Sequence, residues 1–214
     1  MTLFIGLDTE TTGSDILNGA KIIQVGFTIR TSEGGIATFT QGICPAGVRE
    51  GWEPEAEAVH GIPLETVLNG DDFFNAEDVD KWSYEWLVEN GVDRKVRHNN
   101  IPVGLNVSGF DMPFIRKWLP QTYSLFSRRT ADLNAMFFAL DGCNNASWEQ
   151  WKKWAKEYAD KELETRGPKQ EHNAGWDSAM HLYMLEFVQK QIRRGLDDAY
   201  HCHATHSAEL ASRP

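Results

Sequence analysis

An apolar run that stops at two acids sets the strongest constraint on this chain. Residues 3–7 are apolar throughout, and Asp8 and Glu10 follow one residue apart in "FIGLDTETTG". In a strand, residues i and i+2 point to the same face. The two carboxylates therefore aim together at one point, where a buried strand ends and its backbone opens. Adjacent like charges repel and raise each other's pKa unless something positive lies between them. Mg²⁺ and Mn²⁺ prefer carboxylate oxygens and meet that need. Taken alone, a D-x-E is more often a solvated strand end.

It does not stand alone. "GLNVSGFDMPF" repeats the arrangement, with a short apolar strand, a turn, and then Asp111 at the start of a helix. In "EHNAGWDSAMHLYMLEF", Asp177 opens a helix whose Met180, Tyr183, Met184 and Phe187 fall on a core-facing stripe. An acid near a helix N-terminus also has an ordinary explanation in capping and the helix dipole. His172 lies five residues before Asp177 in a Gly-containing stretch.

The rest of the chain supplies a scaffold. Strands are expected at 2–8, 21–31 and 35–43, the last two joined through "SEGG", with further strands at 101–106 and, more weakly, 128–133. Short helices flank "HGIP", and longer ones fall at 78–90, from 111, at 147–164 and from about 176 to 194, ending at Gly195. Three early strands followed by alternating strands and helices predict a mixed α/β sheet. The length, 214 residues with 41% hydrophobic, suits one domain over 1–195, with 196–214 a flexible tail. No membrane span or signal peptide is expected, and three widely spaced cysteines read as free thiols of a cytoplasmic protein. The net charge of −10 argues against extended nucleic-acid binding. It does not exclude a grip on a few nucleotides through cations.

In order and broad separation, D-x-E, N-x4-D and H-x4-D resemble the motifs of the DEDDh 3′→5′ exonucleases, the group of polymerase proofreading subunits, ribonuclease T and oligoribonuclease. Asp8, Glu10, Asp111, His172 and Asp177 carry the match, and "VHGIP" at 59–63 is similar to a segment of the proofreading branch. The resemblance implies a ribonuclease H-like mixed five-stranded sheet flanked by helices. It also implies two divalent cations, Mg²⁺ or Mn²⁺, held by Asp8, Glu10, Asp111 and Asp177, with His172 as general base. Single-stranded 3′ ends would be shortened to nucleoside 5′-monophosphates, DNA being favoured and RNA an alternative. Thr9, Thr11, Thr12, His60 and Asn106 fall where relatives meet substrate. Thr11 and Thr12 read equally well as turn chemistry, and Asn106 as the residue fixing the Asp111 loop. A polymerase partner is implied by the proofreading branch; the oligomeric state is left open.

Two departures stand out: Leu105 occupies the place before Asn106 where the family commonly has His, and Ser178 stands where it has Ala. Tryptophans 82, 86, 148, 151 and 154 lie at helical spacings and read as core before they read as base-stacking platforms. The mixed-sign "KKWAKEYADKELETRGPK" is the nearest approach to a basic contact strip. His201, Cys202, His203 and His206 look like metal ligands but read better as part of a loose tail. A non-catalytic module on this fold is the rival reading, weakened by the presence of all five motif residues. No G-x-G-x-x-G or P-loop supports a dinucleotide or nucleotide-triphosphate site.

Overall fold

The computed structural model describes residues 2–166, 170 and 172–211, with 166 and 195–211 described by backbone alone. Strands β1 (Leu3–Thr11), β2 (Ile22–Arg30), β3 (Ile36–Ile43), β4 (Phe73–Phe74), β5 (Asn100–Gly104) and β6 (Ala131–Asp132) form one sheet in the order β4-β3-β2-β1-β5-β6. β1, β2 and β3 pair antiparallel, while β5 joins β1, β6 joins β5 and β4 joins β3 in parallel. The sheet is mixed, as expected, but has six strands rather than five. The extra one, β4, is a two-residue edge beside Gly42 and Ile43, too short to leave a period in the sequence.

The register of β1 on β2 sorts the two faces. Ile5, Leu7 and Thr9 stand opposite Ile29, Phe27 and Val25, and the apolar members of that set form a core with Phe114, Ile115, Val79 and Leu87. Those last four belong to α3 (Ala76–Glu89) and α4 (Asp111–Trp118). On the other face Gly6, Asp8 and Glu10 stand opposite Thr28, Gly26 and Gln24. The long helix α8 (Ala174–Ala211) lies here, and α7 (Trp148–Leu163) packs against it through Trp151, Ala155 and Ala159.

Two glycines let α8 sit directly on the sheet. A Cβ at Gly26 would stand 1.9 Å from the Ala174 carbonyl oxygen, and one at Gly6 would stand 2.0 Å from that of Ser178. A glycine inside a strand commonly marks such a close backbone approach. Ser178 Oγ lies 2.8 Å from Thr28 Oγ1, which is 3.0 Å from Thr38 Oγ1, and Ser178 also donates to the Gly175 carbonyl. The Ser178 hydroxyl is thus satisfied by a strand that offers hydroxyls.

α8 does not stop at Gly195. The described backbone continues it to Ala211, so the helix end expected from that glycine is corrected. A glycine inside a helix costs only about 1 kcal/mol relative to Ala. The tail expected over 196–214 lies partly outside the described residues, as do the side chains of His201, Cys202, His203 and His206. Among the described residues no helix is long and apolar enough to cross a membrane.

Replacing Gly6 by Ala forces a methyl against the Ser178 carbonyl and should lower stability by about 1–3 kcal/mol. A shifted midpoint in denaturant at unchanged slope is the expected result; an unshifted midpoint would show that α8 stands further off the sheet.

Candidate active site

The site forms at the end of β1, where helices from both faces arrive. Asp8 and Glu10 share the α8 face, and Asp177 comes from the first turn of α8. One carboxylate oxygen from each lies within 4.8 Å of the others. The N-terminus of α8 is held by Asn173, whose Oδ1 accepts from the Trp176 N–H at 3.2 Å and whose carbonyl accepts from the Asp177 N–H at 2.9 Å. Gln24, opposite Glu10, accepts from the Ala174 N–H at 2.8 Å and ties this turn to the sheet.

Asp111 reaches the same strand end from the opposite face. It is 3% exposed, and its Oδ1 accepts from Thr9 Oγ1 at 2.8 Å. Thr9 alternates away from Asp8 and Glu10 along β1, which is why it meets the α4 side. The loop before α4 is shaped by Asn106, left-handed at φ 57°, whose carbonyl accepts from Gly109 and Phe110 N–H groups. Asp132 closes the loop by accepting from the Asn106 N–H at 3.3 Å and Ser108 Oγ at 3.4 Å.

The carboxylates disturb one another. Asp8 is pushed well above the usual carboxylate range by burial first, then by the charges of Asp111, Glu10 and Asp177. Glu10 rises to about 8 through burial, Asp177 and Asp111. Asp111 rises to about 7, mainly by burial, although the Thr9 hydrogen bond pulls the other way. Every donor in this set is an oxygen, and the mutual repulsion calls for positive charge. The residues fit hard divalent cations.

The remaining expected residues divide. Thr9, Glu10, Thr11, Val59, His60 and Phe110 contribute to a pocket of about 220 Å³ beside the acids. Thr11 Oγ1 donates to the Gly13 carbonyl at 2.8 Å. Thr12 is fully buried outside that pocket, its Oγ1 accepting from the Lys21 N–H at 2.9 Å. His60 stands edge-on to Trp52, with ring centroids 5.9 Å apart, and its Nδ1 accepts from the Ile62 N–H at 3.0 Å. That bond fixes a proton on Nε2, a buried atom with no partner among the described residues. Burial lowers the His60 pKa, Glu57 opposes this, and His172 lowers it further. His172 itself is exposed on a left-handed turn at φ 57°, near enough to act on His60 but outside the three-carboxylate group. Asn106 is exposed and lines none of this pocket.

One residue escaped the sequence reading. His181 is buried, and its Nδ1 lies 2.9 Å from the Leu7 carbonyl. Burial holds it down to about 4, so it is neutral at pH 7 and its Nδ1–H donates to that carbonyl. It joins the second turn of α8 to the residue before Asp8. Its place four residues after Asp177, on the same helical face, was the available signal.

No family model and no curated protein matches the sequence. Solved structures match through the fold. Escherichia coli exonuclease I in complex with a dT13 oligonucleotide is similar with a TM-score of 0.62 and 14% identity, over 94% of this chain and 44% of that one. The zinc-bound E. coli exonuclease I–ssDNA complex gives 0.61 and 16%, over 94% and 43%. Exonuclease I from Methylocaldum szegediense gives 0.52 and 17%, over 67% and 30%. The chain has the fold of part of exonuclease I. It spans less than half the length of these proteins, and its architecture is the ribonuclease H-like one.

Because Glu10 and Asp111 hold protons in the folded chain that the unfolded chain releases, stability without cations should fall as pH rises through their folded values, about 7 and 8. His181 opposes this only below about 6.5. Folding free energy in EDTA, and the melting temperature with it, should therefore drop from pH 6.5 to about 8, by up to about 1.4 kcal/mol per pH unit for each such group below its folded value. Mg²⁺ or Mn²⁺ should remove most of the drop, and Asp8→Asn should lessen it. A flat profile in EDTA would contradict the crowding of these acids.

Proposed function

We propose that the protein is a metal-dependent 3′→5′ exonuclease acting on single-stranded ends, with DNA the favoured substrate. The observation that carries this reading is the convergence of Asp8, Glu10 and Asp177 oxygens within 4.8 Å on a fold shared with exonuclease I. Asp8, Glu10 and Asp177 would hold one divalent cation, and Asp111 with Asp8 a second. When bound, such a pair supplies charge neutralisation at the phosphate, a more acidic water and stabilisation of the leaving 3′ oxygen.

The chain's own groups divide the remaining work. His172, exposed five residues before Asp177, accepts the proton of the attacking water, a task suited to an imidazole near neutral pH. The left-handed backbone at His172 sets its approach, and α8 carries Asp177 five residues later. The pocket beside Glu10 receives the terminal nucleoside. Val59 and Phe110 give it apolar walls, and His60 lines it beside them. Thr9 holds Asp111 and also lines the pocket, and Thr11 and Thr12 keep the strand end in shape. The preference for DNA follows the similarity of "DTETTG" and "VHGIP" to the proofreading branch. The structure-level neighbour bound to dT13 agrees with it.

A strand of DNA or RNA labelled at its 5′ end tests the reading directly. With Mg²⁺ or Mn²⁺ a ladder should shorten from the 3′ end, EDTA should stop it, and DNA should be degraded faster. Asp8→Asn should reduce the rate by at least about 10³-fold. His172→Ala should lower turnover by about 10²–10⁴-fold with little change in cation affinity. Full-length label in every lane, from folded protein, would refute the proposal.

Residues 1–195 are proposed to contain the whole machinery. A chain ending at Gly195 should retain activity within about twofold, since every side chain named in the site precedes it. An inactive truncation of normal stability would assign the segment beyond Gly195 a part in the reaction.

A further inference from the structure

Positive charge is concentrated in one stretch of this acidic chain. Between residues 94 and 130 there are seven Lys and Arg residues against a single acid, Asp111, in a protein of net charge −10. The fold brings several of them to one groove along α4. A cavity of about 630 Å³ between Leu17 and α4 is lined by Met112, Arg116, Lys117 and Tyr123. At Ser108, Met112, Arg116 and Tyr123 it meets a second, of about 470 Å³, that continues to Arg97 and Arg128.

Both the position and the charge state of this groove matter. Leu17 follows closely on Gly13 and Ser14, which line the pocket beside Glu10, and α4 itself begins with Asp111. The groove therefore begins next to the segments that line the small pocket, at the end of α4 that carries Asp111. Arg116, Lys117 and Arg128 are exposed, and among the described residues no carboxylate lies within 4.0 Å of them. Several surface cations elsewhere are paired: Arg49 with Glu65, Lys81 with Glu85, Lys153 with Glu157 and Lys190 with Glu186. Unpaired cations crowded into a concavity attract a polyanion. Leu17, 92% exposed, and half-buried Tyr123 add apolar and aromatic surface of the kind on which unpaired bases rest.

We infer that this groove carries the phosphodiester backbone of the substrate strand on the 5′ side of the terminal nucleotide. The inference rests on the exonuclease reading and deepens it: the acids and the small pocket handle one nucleotide, and the α4 groove makes the substrate a polymer. The contact strip lies here, not in the mixed-sign segment after residue 151, where Lys153 is matched by Glu157.

Two substrates separate the groove from the chemistry. The p-nitrophenyl ester of thymidine 5′-monophosphate is too short to reach Arg116 or Arg128, whereas a dT12 strand spans them. In the full chain with Mn²⁺, R116E/R128E should lower the ratio of kcat/KM on dT12 to that on the ester by at least about tenfold. The slope of log kcat/KM against log salt should become shallower by about 1.4, near 0.7 for each phosphate that is no longer neutralised. R116K/R128K should stay close to the parent protein. An unchanged ratio and slope, with both substrates turned over, would overturn the groove and leave the exonuclease reading standing. If the parent protein cleaved neither substrate, the exonuclease reading would fall. Fluorescence anisotropy of labelled dT12 would then decide the groove: weakening of about tenfold or more in R116E/R128E supports it, and an unchanged Kd refutes it.

Discussion

Helix α8 can bring Asp177 to Asp8 and Glu10 only because two strand positions lack a side chain. Gly26 stands opposite Asp8 across the β1–β2 ladder, and Gly6 lies one step back on the same face. Over both, helix carbonyl oxygens occupy the space a Cβ would need. The consequence runs in both directions from that contact. Toward the core it buries Ser178 against Thr28, so a hydroxyl chain replaces what would be a methyl contact. Toward the site it sets the separation of three carboxylates, with His181 fastening the next turn to the Leu7 carbonyl.

Holding those acids together is unfavourable in the metal-free chain. Burial and mutual repulsion raise Asp8, Glu10 and Asp111, so each prefers its proton where an isolated carboxylate would ionise. The packing of α8 on one face and α4 on the other supplies the constraint that keeps them in place. Such a site is built for positive charge, which reverses the sign of every one of these interactions. The strain is local, and the sheet beneath it is ordinary.

Charge on the surface follows a second logic. The net value of −10 describes the chain as a whole, whereas α4 and the segments on either side of it are basic. Averaging over the sequence hides this, because the Lys and Arg residues at 94–97, 116–117 and 128–129 are separated in sequence by apolar strand and helix. Folding brings Arg97 from before β5, Arg116 and Lys117 of α4, and Arg128 from before β6 to one groove.

Much of this was legible in the sequence. Apolar runs located β1, β2, β3 and β5, and the spacing of Asp8, Glu10, Asp111, His172 and Asp177 pointed to one site. Short-range pattern suffices there, because strand alternation and helix caps are local properties. Pattern could not locate β4, which has two residues and no period, nor the continuation of α8 past Gly195, where a weak local breaker is overridden. Nor could it assign Thr9 to Asp111, Thr12 to Lys21 or His181 to Leu7, each a pairing across elements distant in sequence. The sequence by itself determined the strand on which Asp8 and Glu10 stand and singled out Asp111 and Asp177 as the acids that come to join them. Tertiary structure alone decided how closely they meet and which side chains hold them. Those depend on the approach of helices to a sheet, and hence on glycines whose role is visible only once something lies above them.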